Sequence, residues 1–103
     1  MELFTQTGGA RIDWLNASYP MATLSGDSDA LHLSCLGREY HFPRSSIRQL
    51  RRHCGLFSVG LRIEHTQDSL PEFIVFWASA FFWTSGFQKL RTQLESLGYE
   101  IAA

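Results

Sequence analysis

The pattern of apolar and polar positions is most regular in the last third of the chain, from Pro71 to Tyr99. Residues 73–78 are all apolar and include β-branched and aromatic side chains. A short run of this kind after a proline is typical of a strand. Alternation would give the strand two apolar faces, with Phe73, Val75 and Trp77 on one and Ile74, Phe76 and Ala78 on the other. We therefore expect both faces to be covered.

An amphipathic helix is predicted directly after this strand. Apolar residues recur at intervals of three and four, which form a single stripe on a helix, at Phe87, Leu90, Leu94 and Leu97. Thr84 or Ser85 is suited to cap the N-terminus. Gly98 is suited to the position just past the end of the helix, where a left-handed conformation is favoured. We expect this helix to close over a sheet.

The earlier part of the chain predicts short antiparallel strands. They cover residues 11–17, 21–25, 30–36, 39–42 and 59–66. A flexible turn is predicted at Thr7-Gly8-Gly9, and Tyr19-Pro20 is expected to separate the first two strands. Gly26-Asp27-Ser28-Asp29 and Gly37-Arg38 are turn signals. The turns and strands together predict an antiparallel meander, in which Leu31, Leu33, Cys35, Tyr40 and Phe42 would face inward.

The stretch from Pro43 to Gly55 is compatible with two structures. Ile47, Leu50 and Cys54 have the spacing of a short helix that ends at Gly55. A bent strand is the alternative, and spacing alone does not decide between them.

This order of about six or seven strands and one closing helix resembles the pleckstrin-homology-like (PH-like) superfold, as found in small bacterial domains. The resemblance rests on the Ala30–Phe42 hairpin, Ile47-x-x-Leu50, Gly60–His65, Phe73–Phe76 and the Phe87–Tyr99 helix. It implies a mainly β (α+β) fold with two antiparallel sheets that form an open barrel, capped by the C-terminal helix. It also implies a strand around Ile47, which we adopt.

The resemblance carries little functional detail. Phosphoinositide-binding members of the superfold have several Lys or Arg residues around the first strand–loop–strand. Here that region has only Arg11, beside Asp13, so specific phosphoinositide binding is not expected. The tryptophan of the family's helix has only an approximate counterpart, Trp83, at the start of the helix.

Composition narrows the class of protein. A chain of 103 residues is expected to form one domain, residues 1–103. The net charge of −1 argues against a dedicated nucleic-acid binder. No signal peptide or membrane span is predicted, since the most apolar window, residues 73–83, is too short. We therefore expect a cytoplasmic protein, and the single lysine, Lys89, against eight arginines hints at a GC-rich bacterial source.

The strongest concentration of charge is basic. It consists of Arg44, Arg48, Arg51 and Arg52. Guanidinium groups bind phosphate and carboxylate through paired hydrogen bonds, so this cluster is a candidate site for an anionic ligand or an anionic membrane surface. A solvated face is the more common meaning of a short basic run. No aromatic residue alternates with the arginines, so base stacking is not expected.

Metal binding and nucleophilic catalysis are not indicated by the histidines and cysteines, His32, His41, His53, His65, Cys35 and Cys54. Their spacing matches none of the usual zinc motifs. Adjacent residues such as His53 and Cys54 seldom reach each other, and no orienting acid is evident. An enzyme that uses Cys or His chemistry is the less favoured alternative. We expect no catalytic residue, metal or cofactor.

The triplet Phe81-Phe82-Trp83 is a candidate contact surface, because three consecutive aromatic side chains cannot all point inward. An aromatic corner that closes the barrel end is the alternative. The function that the sequence favours is a non-catalytic binding or scaffolding module. Its expected partner is another protein or a second copy of the chain, which could pair through these aromatic residues or an open sheet edge.

Overall fold

A curled β-sheet and one C-terminal helix make up the fold. The computed structural model describes residues 3–13, 15–54, 59–77 and 85–102. The elements of this described part are β1 (Phe4–Ile12), β2 (Leu15–Gly26), β3 (Ala30–Cys35), β4 (Arg38–Pro43), a 3₁₀ turn (Arg44–Ser46), β5 (Ile47–Cys54), β6 (Val59–His65), β7 (Ile74–Trp77), α1 (Ser85–Ser96) and β8 (Ile101–Ala102). The predicted class, mainly β with one C-terminal helix, is confirmed.

The strands form one hydrogen-bonded sheet in the order β4-β3-β2-β1-β7-β6-β5-β8. Their pairings are antiparallel, apart from the short parallel pairing of β5 with β8. The two predicted sheets correspond to the halves β1–β4 and β5–β7, which are continuous because β1 pairs with β7. The sheet curls into a half-barrel capped by α1, an architecture compatible with the PH-like superfold. The short strand β8 was not predicted.

The boundaries of the first two strands differ from the prediction. Gly8 and Gly9 lie within β1 and not in a turn. The chain turns between Ile12 and Leu15, which are paired, and Asp13 has a φ of 55°, a conformation that Asp tolerates in turns. The predicted break at Tyr19-Pro20 is wrong, because β2 continues through both residues. These residues lie where the β1–β2 register shifts, and a proline is tolerated at such an irregularity.

The structure decides between the two alternatives for residues 43–54, and Gly55 lies outside the described residues. A 3₁₀ turn precedes β5, so the strand is confirmed and the helix is wrong. Pairing with β6 decides the outcome: Leu50 lies opposite Ile63, and both are buried in the core. The neighbouring side chain of Arg51 is exposed. The helical spacing in the sequence is therefore outweighed by burial in a long-range pairing.

The helix closes the inner face of the sheet, as predicted. Phe87, Leu90 and Leu94 are buried in the core, and Leu97 packs against it. Gly98 has a φ of 91°, and the chain leaves the helix with the backbone N–H of Tyr99 bonded to the carbonyl of Leu94 at 3.1 Å. This is the left-handed ending expected of a glycine. The predicted cap Thr84 lies outside the described residues, as does Ala78.

Two long-range hydrogen bonds fix the helix to the first half of the sheet. Gln6 of β1 donates from Nε2 to Oε1 of Gln93, at 2.6 Å. Tyr99, which is buried, donates from its hydroxyl to the carbonyl of Asp27 in the β2–β3 turn, at 2.8 Å. The sequence after α1 therefore returns to the turn between β2 and β3.

The buried phenol of Tyr99 predicts a loss of stability at high pH. Burial raises the pKa of Tyr99 above its ordinary value of 10, an effect opposed by Arg44 and reinforced by Asp27 and Asp29. A raised pKa in the folded state means that this stabilisation is complete below pH 10 and is lost as the pH rises through the folded-state pKa.

We expect the free energy of unfolding in urea to fall above pH 10, and to fall less steeply in Tyr99→Phe. Burial also raises the pKa of Cys35, so part of the decline should remain in the variant. Parallel curves for the two proteins would contradict a contribution from Tyr99.

Candidate functional site

The four arginines of the predicted anion site differ in their surroundings. Arg44 lies in the 3₁₀ turn, and the other three lie on β5. Arg48 falls at a bulge, where the register shifts between Ile47 and Gln49. Arg51 donates to Oε2 of Glu64 at 3.5 Å, an exposed pair of small energetic value. Arg48 and Arg52 are exposed.

Arg44 joins the end of the helix to the β2–β3 turn. Its guanidinium donates to the carbonyls of Ser28, at 3.0 Å, and Leu97, at 3.4 Å, and also to that of Gly98. It lies over the ring of Tyr99, with Cζ 4.4 Å from the centroid. A cation that donates to the last carbonyls of a helix also complements the helix dipole. Arg44 therefore has a structural role that its place in a basic run did not indicate.

A second group of side chains, not singled out from the sequence, lies on the outer face of the sheet. The inner residues Ile74 and Phe76 belong to the core, whereas Val75 lies outside that cluster although it is only 2% exposed. Register places Val75 beside Arg11 of β1 and Arg62 of β6. The outer face of β7 is thus covered by side chains from the neighbouring strands.

Phe73 is the centre of this group. The Cζ atoms of Arg11 and Arg62 lie 5.5 Å and 4.9 Å from its ring centroid. His53 meets the same ring edge-on, with centroids 5.6 Å apart. Arginines over an aromatic face gain about 0.5–2 kcal/mol each, depending on how far they are desolvated. Cationic and aromatic groups are therefore brought together from four parts of the chain.

The turn between β1 and β2 holds Phe73 in place. The backbone N–H of Asp13 donates to the carbonyl of Phe73 at 2.8 Å, and the N–H of Phe73 donates to Oδ1 of Asp13 at 3.1 Å. Arg11 donates from Nε to the carbonyl of Asp13 at 3.0 Å. Asp13 therefore positions both the ring and one of the cations above it.

A groove opens between these side chains. We call it the outer-face groove, and it is lined by Arg11, Asn16, His53, Gly60, Phe73, Val75 and Trp77. Its volume is about 190 Å³. Phe73 and Trp77 are half-buried, and Arg11 is exposed. The groove thus presents aromatic surface with a cation at its rim.

The shape of the groove depends on two glycines. A Cβ atom added to Gly9 would lie 2.4 Å from Nε1 of Trp77 and 2.6 Å from the carbonyl oxygen of Ala17. A Cβ added to Gly60 would lie 2.8 Å from Cγ1 of Val75. These distances are too short for any residue other than glycine without a shift of its neighbours. Gly9 therefore allows the indole to lie directly against β1.

Arg62 is held beside the groove with one donor unpaired. Among the described residues its Nε is buried and has no hydrogen-bond partner. Buried polar atoms are normally paired, and leaving one unpaired costs free energy. The guanidinium instead rests on the ring of Phe73.

The described histidines and cysteines do not gather into one cluster. His65 accepts from the backbone N–H of Gln67 at 3.1 Å and contacts the carbonyl of Pro71 through Nε2 at 2.7 Å, so its ring orders the β6–β7 loop. Cys35 is a buried core residue. In the described ranges no cluster of three or more His, Cys, Asp or Glu could hold a metal ion. The side chain of Cys54 lies outside the description.

Side chains close the β2–β3 turn and the free edge of β4. Asp27 accepts from the backbone N–H of Asp29, at 2.8 Å, so it is a turn residue as predicted. At the free side of β4, Gln67 donates from Nε2 to the carbonyl of His41 at 2.9 Å. Ser46 donates to the carbonyl of Pro43 at 2.7 Å. Edge groups occupied in this way are less available for strand addition.

The second predicted contact surface, Phe81-Phe82-Trp83, lies outside the described residues. In the part of the chain that is described, no helix has the length and apolarity needed to span a membrane.

Comparison with protein-family models, with curated proteins and with solved structures finds no match for this chain.

The different roles of Arg44 and Arg48 predict different effects on stability. Arg44→Ala removes bonds that join α1 to the β2–β3 turn, and we expect it to lower the free energy of unfolding by about 1–2 kcal/mol. Arg48→Ala, the matched control, should change it by less than about 0.5 kcal/mol. Urea denaturation followed by circular dichroism measures both, and equal losses would contradict the structural role of Arg44.

Proposed function

We propose that this chain is a non-catalytic binding module of the PH-like superfold, and that it contacts a protein partner through the outer-face groove. The fold assignment is supported by the strand order, in which β1–β4 and β5–β7 form the two halves and α1 closes them. The proposed surface includes neither the arginine cluster nor the aromatic triplet.

The observation that carries the proposal is the composition of the groove. Trp, Tyr and Arg are the residues that most often dominate binding energy at protein interfaces, and aromatic residues and Arg are enriched there. Trp77 and Phe73 supply half-buried aromatic surface. Arg11 lies at the exposed rim and Arg62 is partly desolvated against Phe73. An interface anchor needs this combination of apolar area and directed polar groups.

The size of the groove favours a side chain as its occupant. Its volume of about 190 Å³ is below the roughly 300–1,000 Å³ of sites that enclose drug-sized ligands. The groove can therefore accept a single apolar side chain of a partner, while the surrounding surface contacts the segment that carries it.

Charge defines the partner further. Arg11, Arg62 and His53 surround the ring of Phe73. An acidic side chain next to the inserted apolar one would pair with the arginines, which bind carboxylates through a planar fork of donors. The expected partner is a protein segment with an apolar anchor flanked by Asp or Glu.

A displayed library of random peptides tests this function. We expect selected peptides to combine a large apolar residue with Asp or Glu. Arg11→Glu should weaken their binding at least tenfold, as should Phe73→Ala. The matched control is Arg38→Glu, which makes the same charge change at an exposed site on β4 and should leave binding unchanged.

Two results would contradict the proposal. One is a set of peptides that bind Arg11→Glu and Phe73→Ala as tightly as the unmodified chain. The other is self-association in light scattering that Arg11→Glu abolishes, because the occupant of the groove would then be a second copy.

A second candidate function is binding of an anionic ligand or an anionic membrane surface by the Arg44–Arg52 cluster. One observation favours it: Arg44 and Arg48 line a cleft of about 600 Å³ beside Tyr99 and β8. That volume lies within the range of ligand sites. The donors of Arg44 are already engaged by carbonyls, so Arg48 would supply most of the attraction there.

Flotation with phosphatidylcholine vesicles that contain phosphatidylserine tests this second function. Binding should occur at low salt, disappear at high salt because exposed charges are screened, and be lost in Arg48→Glu with Arg51→Glu. Arg38→Glu with Lys89→Glu carries the same charge change elsewhere and should still float. If the first double variant floats like the unmodified chain, the cluster does not bind membranes.

A further inference from the structure

A pair of histidines lies on the β3–β4 hairpin, on different strands from the outer-face groove. His32 and His41 are directly opposite in the antiparallel register. The register is set by the two-residue turn at Leu36 and Gly37, whose φ values are 51° and 81°, as in the turns that favour tight hairpins. Hydrogen-bonded and non-hydrogen-bonded pairs alternate along the hairpin, beginning with the hydrogen-bonded pair Cys35–Arg38 beside the turn. His32 and His41 therefore form a non-hydrogen-bonded pair, in which opposite side chains are closest.

The distance between one nitrogen of each ring is suited to binding a metal ion. Nδ1 of His41 lies 3.3 Å from Nδ1 of His32. Two imidazole nitrogens about 2.0–2.1 Å from a tetrahedral zinc ion are separated by about 3.3–3.4 Å. The rings are inclined at 61°, so they are not stacked. The two nitrogens therefore already have the spacing of two corners of a tetrahedron.

A carboxylate supports one of the rings. Oε1 of Glu39 lies 3.3 Å from Nε2 of His32. A carboxylate at this distance favours the tautomer that carries its proton on Nε2, which leaves the lone pair of Nδ1 free. A carboxylate beside the second ring nitrogen is a common feature of histidines that bind metals. Glu39 is thus a positioning residue, since it touches the ring and not the metal position.

We propose that His32 and His41 bind a divalent transition-metal ion, such as Zn²⁺, through their Nδ1 atoms. Imidazole suits Zn²⁺, Cu²⁺ and Ni²⁺. His41 is exposed and His32 half-buried, so water can reach the ion and complete its coordination. In the described ranges no third protein ligand joins the pair, so exchangeable waters would fill the remaining positions of a four-coordinate ion.

Calorimetric titration of the metal-free chain with zinc chloride tests this site. We expect one ion per chain, at least tenfold weaker binding in His32→Ala and in His41→Ala, and a smaller but measurable loss in Glu39→Gln. The matched control moves one histidine: His41→Ala with Met21→His keeps the number of histidines but places one on β2, at an exposed position. It should bind no better than His41→Ala alone.

Several outcomes would overturn the proposal. They are the absence of saturable zinc binding, equal affinity in His32→Ala and the unmodified chain, and full affinity in the variant with the displaced histidine. Circular dichroism of each variant establishes that it is folded. If zinc does not bind, the 3.3 Å contact is a hydrogen bond between the two histidines and not a metal site.

Discussion

The pairing of β1 with β7 is the contact on which both the fold and the proposed groove depend. It joins the first strand of the chain to the last strand before the helix, and so connects the two halves of the sheet. The same register sets Gly9 opposite Trp77 and Arg11 opposite Val75. A slip of one residue would turn these side chains to the other face, so the core and the outer-face groove would be lost together.

The local spacing of apolar and polar residues was sufficient to predict much of the fold. The β3–β4 hairpin followed from strict alternation, because Leu31, Leu33 and Cys35 are buried while His32 and Ser34 are half-buried on the other face. The helix α1 was predicted from the spacing of its apolar residues, three of which, Phe87, Leu90 and Leu94, are buried in the core. Where prediction failed, long-range pairing outweighed local preference: the shift in β1–β2 register tolerates Pro20 within β2, and pairing with β6 makes residues 47–54 a strand.

The candidate sites were harder to predict, since they are assembled from separate strands. The apolar second face of β7 was a usable signal that something must cover Phe73 and Trp77. The sequence could not show that the cover is arginine, because Arg11 and Arg62 reach Phe73 only through the sheet order. Charge density did not reveal the structural role of Arg44. This residue is part of the densest basic run, yet its donors engage carbonyls within the chain.

Because residue 9 is a glycine, a single substitution there could change which partner side chains the groove binds. The indole of Trp77 rests where a methyl group would otherwise stand, so the backbone of β1 determines how deep the cavity is. Even alanine there would have to lift the ring or bend the strand. A change of one carbon atom, far in sequence from Trp77, could therefore alter which residues are accommodated while leaving every lining side chain the same.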